Sequence, residues 1–125
     1  MTALIRTIQA VSTLIGYVGA WVGLVAPDAP GQARPLAQAG FADDYLDTLP
    51  AYWRDAAQEG SPLRGVLFEQ AGMSQSNGTL IAALNAQQHI LGVLVVIAQE
   101  AVSEEEAETV RILAESLTVA LHSIV

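Results

Sequence analysis

The side chains able to do chemistry are few and scattered. There is no cysteine in the 125 residues, which removes thiolate catalysis, disulfides and Cys-ligated metal. His89 sits in a polar break between two apolar runs, and His122 lies on the polar side of a C-terminal helical pattern. Neither has a second ligand at metal or haem spacing, so both read as solvated residues. Ser61, Ser74 and Ser76 lack the glycine elbow and the His/acid partners of a hydrolase. Asp43, Asp44 and Asp47 crowd one short segment, but no loop of alternating oxygen ligands follows, and acids at a helix start explain them. No catalytic residue, metal site or cofactor is therefore expected. Thirteen acids against five bases, all Arg, leave a net charge of −8 and no basic face for phosphates, which argues against nucleic acid.

What remains is aromatic surface. Trp21, Tyr45, Trp53 and Phe68 carry most of it. Large rings anchor cores, and they also wall ligand pockets that are mostly apolar with a few placed polar groups. Asp55 or Arg54 would supply such a group beside Trp53. Core and pocket wall are both open at this point.

The element that must position these rings is Ile90–Ala98, ILGVLVVIA, an uncharged run rich in Val and Ile. It predicts a central strand buried on both faces. The run Thr79–Asn85 before it, joined through Ala86-Gln87-Gln88-His89, predicts its hairpin partner. After it, Ser103 and Glu106 form a capping box, and Glu104, Glu105 and Glu106 complement the helix dipole. Val110, Ala114, Leu117, Leu121 and Ile124 repeat at helical spacing as a core stripe, while Glu108, Arg111, Glu115, Thr118 and His122 lie opposite. Ile112 and Val119 fall outside the core stripe. No stop signal precedes the last residue, as in a helix that continues.

At the other end, Thr7–Ala26 is uncharged and long enough on count to cross a bilayer, at ~20 residues. Leu4, Ile8, Val11 and Ile15 form an amphipathic stripe, however, and Gly16, Gly19 and Gly23 weaken the second half as a helix. The segment therefore divides into a helix from Thr2 to about Ile15 and a strand over Tyr17–Ala26, which argues against a membrane span. A Pro/Gly turn at Pro27–Gly31 leads to a second strand, Arg34–Ala39. Phe41–Leu49 predicts a short helix ended by Pro50. Ala51–Gly60 reads as loop with extended structure around Trp53, and Pro62–Gln70 as a short helix capped by Ser61. Gly72–Gly78 reads as a polar connection.

The order and the residues together resemble the GAF domain family. Ala20-Trp21-Val22-Gly23-Leu24-Val25, Pro35-Leu36-Ala37-Gln38-Ala39-Gly40-Phe41 and Tyr45-Leu46 are similar to its opening half. Leu91-Gly92-Val93-Leu94, Glu104-Glu105-Glu106 and Leu113-Ala114 are similar to its last strand and helix. Ser61-Pro62-Leu63-Arg64-Gly65 resembles its Pro-led helix start. The resemblance implies a further strand and a loop-and-helix insertion before the hairpin, for which only about Ala71–Gly78 is available. The chain thus reads as a shortened member lacking the middle lid segment. Activities of the family that need cysteine, free-methionine sulfoxide reduction and covalent tetrapyrrole attachment, find none here. Its cyclic-nucleotide pattern, Asn-Lys-x-x-Phe-Asp-Glu, requires a Lys that this chain lacks.

The expectation is one GAF-like domain over 1–125. Its fold is α/β (α+β), GAF/PAS-like, with an antiparallel sheet of about five strands and the terminal helices on one face. The resemblance implies a non-enzymatic, cytoplasmic sensory or regulatory module. It would bind a small ligand, through Trp21, Tyr45, Trp53, Asp55 and Phe68, or relay a signal through its terminal helices. A competing reading is a degenerate dimerisation module with no ligand. Homodimerisation is expected along the leftover apolar edge of the terminal helices, at Leu4, Ile5, Ile8, Ile112, Val119 and Ile124.

Overall fold

Five strands form one antiparallel sheet in the computed structural model, which describes residues 17–25, 28, 31–40, 44–61, 63–67, 73–76, 79–86, 89–98 and 103–124. The strands are β1 (Tyr17–Leu24), β2 (Arg34–Ala39), β3 (Met73–Ser76), β4 (Thr79–Ala86) and β5 (His89–Ala98). Their spatial order is β2-β1-β5-β4-β3, with every neighbouring pair antiparallel. Between β2 and β3 come 3-10 turns at Leu46–Thr48 and Ala51–Trp53 and a short helix α1 (Arg64–Leu67). The long helix α2 (Glu104–Ile124) follows β5.

The charge-free run expected at the centre is there. β5 is the middle strand, and its side chains alternate between two separate cores. Leu94 and Val96 join Ala20 and Val22 of β1 and Leu80, Ala82 and Leu84 of β4 beneath Val110, Ala114 and Leu117 of α2. Val93 and Val95 join Trp21 and Ile81 on the opposite face, beneath Leu49, Ala56, Leu63, Val66 and Leu67. All four consecutive β5 residues from Val93 to Val96 are fully buried. Such two-sided burial selects a continuous apolar run over an alternating one.

Three of the four strand pairs carry an irregularity, and β3–β4 is regular. Leu36 is the extra residue where β2 pairs β1, immediately after Pro35. Proline has no N–H for a ladder, and β2 is an edge strand, where that loss is tolerated. On β5 the register slips at Leu91, whose carbonyl instead accepts from Val25 N–H at 2.9 Å, extending the contact with β1 past the end of the strand.

α2 begins as its sequence specifies. Ser103 Oγ accepts from Glu106 N–H at 3.2 Å and its hydroxyl donates to Glu106 Oε1 at 3.2 Å. The helix packs on β4 and β5, through the stripe that its spacing predicts.

Three local expectations need correction. The polar stretch Gly72–Gly78 contains β3, so the further strand that the resemblance implies is present as a short edge strand rather than missing. Asn77-Gly78, the residue pair between β3 and β4, is the strongest short hairpin signal and accounts for it. Within Phe41–Leu49, residues 41–43 lie outside the described residues and the rest is a 3-10 turn rather than an α-helix. Asp47 and Thr48 N–H reach back only three residues, and Thr48 Oγ1 also donates to the Tyr45 carbonyl, which holds the tighter turn ahead of Pro50. Trp53 closes a second 3-10 turn, and the extended residue is Asp55, bridged to Gln32. The helix after Ser61 is described only over Arg64–Leu67, with 68–70 outside the described residues. The expected first helix, Thr2 to Ile15, also lies outside them. Among the described residues no helix is long and apolar enough to cross a membrane, and Tyr17–Leu24 of the uncharged run is a strand.

Two predictions follow from this architecture. Val95→Asp and Val96→Asp each place an unpaired charge in a different core, at a cost of several kcal/mol against a total stability of about 5–15 kcal/mol. Neither variant should give a cooperative thermal transition, and a soluble, cooperatively melting protein at both positions contradicts the central placement of β5. At Gly23, a Cβ would stand 3.0 Å from Trp21 Cζ3 and 3.2 Å from Ala33 Cβ, both buried. Gly23→Ala should cost about 1–3 kcal/mol by overpacking, read as a lower urea midpoint with unchanged slope.

Candidate functional site

The sheet face away from α2 gathers the aromatic candidates. Trp21 projects from β1 into that face and is fully buried. The absence of a side chain at Gly23, two residues along the same face, gives its six-membered ring room. Trp53 ends the second 3-10 turn, half-buried, and stands edge-on to Trp21 with ring centroids 6.4 Å apart and planes at 72°. Tyr45 and Leu46 pack against the margin of the same cluster. Thus Trp21, Tyr45 and Trp53 come together, Trp21 as core and the other two at its edge. Phe68 lies outside the described residues.

The covering segment is held by backbone hydrogen bonds as well as by the burial of Leu49, Ala56 and Leu63. Ala33 N–H donates to the Arg54 carbonyl at 2.7 Å, and Ala56 N–H to the Gly31 carbonyl at 2.8 Å, fastening it to the entrance of β2. Asp55 keeps its carboxylate occupied locally: Oδ1 accepts from Ala57 N–H at 2.9 Å, an Asx-type turn. Ser61 is buried, and its Oγ accepts from Leu63 N–H at 3.3 Å, leading Leu63 into the core. Arg64, the first residue of α1, donates through Nε to the Ala56 carbonyl at 3.2 Å. Its Nη2 donates to Ala57 at 3.2 Å and Gln58 at 3.3 Å. This Arg fixes the loop ahead of its own helix, a role that its place in a helix-start pattern does not announce.

One polar atom on this face is unaccounted for. Trp21 Nε1 is buried and has no hydrogen-bond partner. Buried indole N–H groups usually find one. Val25, Leu49, Leu63, Val93 and Val95 are among the residues that share its core. Among the described residues no three His, Cys, Asp or Glu side chains lie together where a metal could sit.

The opposite side of the molecule offers a surface. Ile112 is 52% exposed and Val119 72% exposed on α2. They lie one heptad apart, with exposed Ser116 between them on the same stripe. Beside them Arg111 pairs with Glu108, and its Nη1 lies 2.6 Å from Glu115 Oε1. The hydrogen bond from Arg111 holds the Glu108 carboxyl below its ordinary range. These exposed pairs are solvent-screened and contribute little to stability. Of the other residues expected at this surface, Leu4, Ile5 and Ile8 lie outside the described residues, as does the side chain of Ile124.

Neither a family model nor a curated protein sequence matches the chain. Solved structures do. The second GAF domain of DevS from Mycobacterium smegmatis superposes with a TM-score of 0.74 at 18% identity, over 98% of this chain and 94% of that one. A segment of a methyl-accepting chemotaxis protein gives 0.78 at 12% identity, over 98% and 88%. The type II free methionine-R-sulfoxide reductase of Thermoplasma acidophilum gives 0.68 at 12%, over 98% and 94%. The five-stranded antiparallel sheet with its helices matches these neighbours over nearly the full length of each, and the fold of this chain is that of a GAF domain.

Proposed function

We propose that the chain is a single non-enzymatic sensory or regulatory domain, acting in the cytoplasm, that takes up a small molecule on the turn-covered face or passes a signal along α2. The observation that carries this reading is the asymmetry of the sheet. One face is closed by a 21-residue helix able to transmit a displacement. Among the described residues the other is covered by two 3-10 turns and a four-residue helix, over a buried indole N–H with no hydrogen-bond partner there. The absence of cysteine separates the chain from the thiol chemistry of sulfoxide reduction, although one similar structure is such an enzyme.

A second reading, a dimerisation module without ligand, is favoured by the exposed Ile112 and Val119. Both readings use a homodimer seam along α2, with partner residues from the N-terminal stripe. Thermal melting against a metabolite panel separates them, because a molecule bound only by the native state raises its melting temperature. No shift with any compound, together with a stable dimer, favours the second.

Two substitutions test the parts. Trp53→Ala should abolish the ligand-induced shift. It should lower the melting temperature of the free protein by only a few degrees, as the loss of one half-buried edge-on ring contact implies. A collapse of stability assigns Trp53 to the core alone. Light scattering on a sizing column should show a dimer at tens of micromolar that is insensitive to salt, since the contact is apolar. Ile112→Glu combined with Val119→Glu should yield a folded monomer, whereas an undiminished dimer places the seam elsewhere.

A further inference from the structure

We infer that Arg64 is a latch that makes the turn over 54–60 and helix α1 leave the sheet only together. The inference concerns how the cover opens, and it holds whatever the cover opens for. Arg64 is the first residue of α1 and reaches back past the chain reversal at Gly60. Its Nε donates to the Ala56 carbonyl at 3.2 Å, and Nη2 donates to those of Ala57 and Gln58 at 3.2 and 3.3 Å. A planar guanidinium holds its donors in a fixed fork, so one side chain gathers three successive carbonyls. Two of the three bonds lie at the surface, where water competes for both partners, so the latch can be released.

Burial alone does not tie the turn to the helix. From 54 to 60 only Ala56 is buried, and residues 57–60 are exposed. The turn meets the sheet at its other end, through Ala33 N–H on the Arg54 carbonyl at 2.7 Å and Ala56 N–H on the Gly31 carbonyl at 2.8 Å. Breaking those two bonds in the absence of the latch would free the turn while exposing one methyl group. By contrast α1, with Leu63 before it, is seated by Leu63, Val66 and Leu67, all buried in the same core as Ala56. Gly60, at φ +76° with open space where a Cβ would stand, separates the two parts. Besides Arg64, one backbone bond among the described residues spans it, from Ser61 N–H to the Gln58 carbonyl at 3.1 Å. With the latch closed the turn lifts only if the start of α1 lifts with it, and the apolar area exposed is several times larger. Arg64 thus joins two pieces of unequal hold into one cooperative unit.

Native-state hydrogen exchange on the full chain reads this coupling. Ala33 and Ala56 N–H report release of the turn, and Leu67 N–H, bonded to the Leu63 carbonyl at 2.9 Å, reports α1. In the unmutated chain all three should exchange with one opening free energy and one urea dependence, smaller than that of Val93–Val96. Arg64→Met keeps the aliphatic stem and removes the fork. Ala33 and Ala56 should then exchange about tenfold faster, with a urea dependence well below that of Leu67. A role in general stability alone would speed all three amides alike and keep their urea dependences equal, and that result in Arg64→Met overturns the inference. Different urea dependences for Ala56 and Leu67 in the unmutated chain, or values equal to those of Val93–Val96, also overturn it. Those two outcomes are read without any substitution, so they decide the matter even if Arg64→Met fails to fold.

Discussion

Burial of β5 on both faces is the constraint on which the rest of this structure depends. Val93 to Val96 contribute alternately to two cores that never meet except through the sheet. Each core must then be closed by something, and the two closures differ in kind. On one face Val110, Ala114 and Leu117 bring a rigid, well-capped helix down on β4 and β5. On the other, short turns deliver single residues, Leu49, Ala56 and Leu63, with Ala56 N–H tied to the Gly31 carbonyl and Leu63 N–H to Ser61 Oγ. A helix moves as a unit, whereas a patchwork of turns can open piecewise.

The proposed function gives each face a role. The helical face suits output, because α2 carries its exposed Ile112 and Val119 away from the core that holds it. The turn-covered face suits reception, because its described cover is built of short separate elements, fastened by two backbone links to the start of β2, the Arg64 clasp on 56–58 and single buried side chains. Trp21 stands on β1, the strand beside β5, between Ala20 and Val22, which face the helix side.

Much of this was legible in the sequence where one residue pattern had one physical solution. The run Ile90–Ala98 had to be central, Ser103 with Glu106 had to start a helix, and Ile112 and Val119 were out of phase with the core stripe. β2 appears at its expected limits, Arg34–Ala39, with Pro35 tolerated at the edge. The short elements between Gly40 and Gly78 were less legible, because each is too brief for periodicity to act. Asn77-Gly78 is a hairpin signal that reading Gly72–Gly78 as a polar connection passed over, and the strand before it, Met-Ser-Gln-Ser, has none of the apolar alternation that identifies strands. At the candidate site the aromatic residues could be named, yet not sorted into core and margin. Whether Trp21 Nε1 finds an acceptor, and whether Arg64 reaches back to three carbonyls, are properties of the assembled fold with no local signature.

Native-state hydrogen exchange tests the central claim, that one face is a permanent core and the other an openable cover. The amides of Val93–Val96 should exchange only through global unfolding, with the full denaturant dependence of the equilibrium transition. Hydrogen-bonded amides of the cover, Ala56, Leu67 and Arg54, should exchange through smaller openings of lower free energy and weak denaturant dependence. If these cover amides instead exchange with the same free energy and slope as β5, the turn-covered face is as closed as the helical one and the account of reception fails.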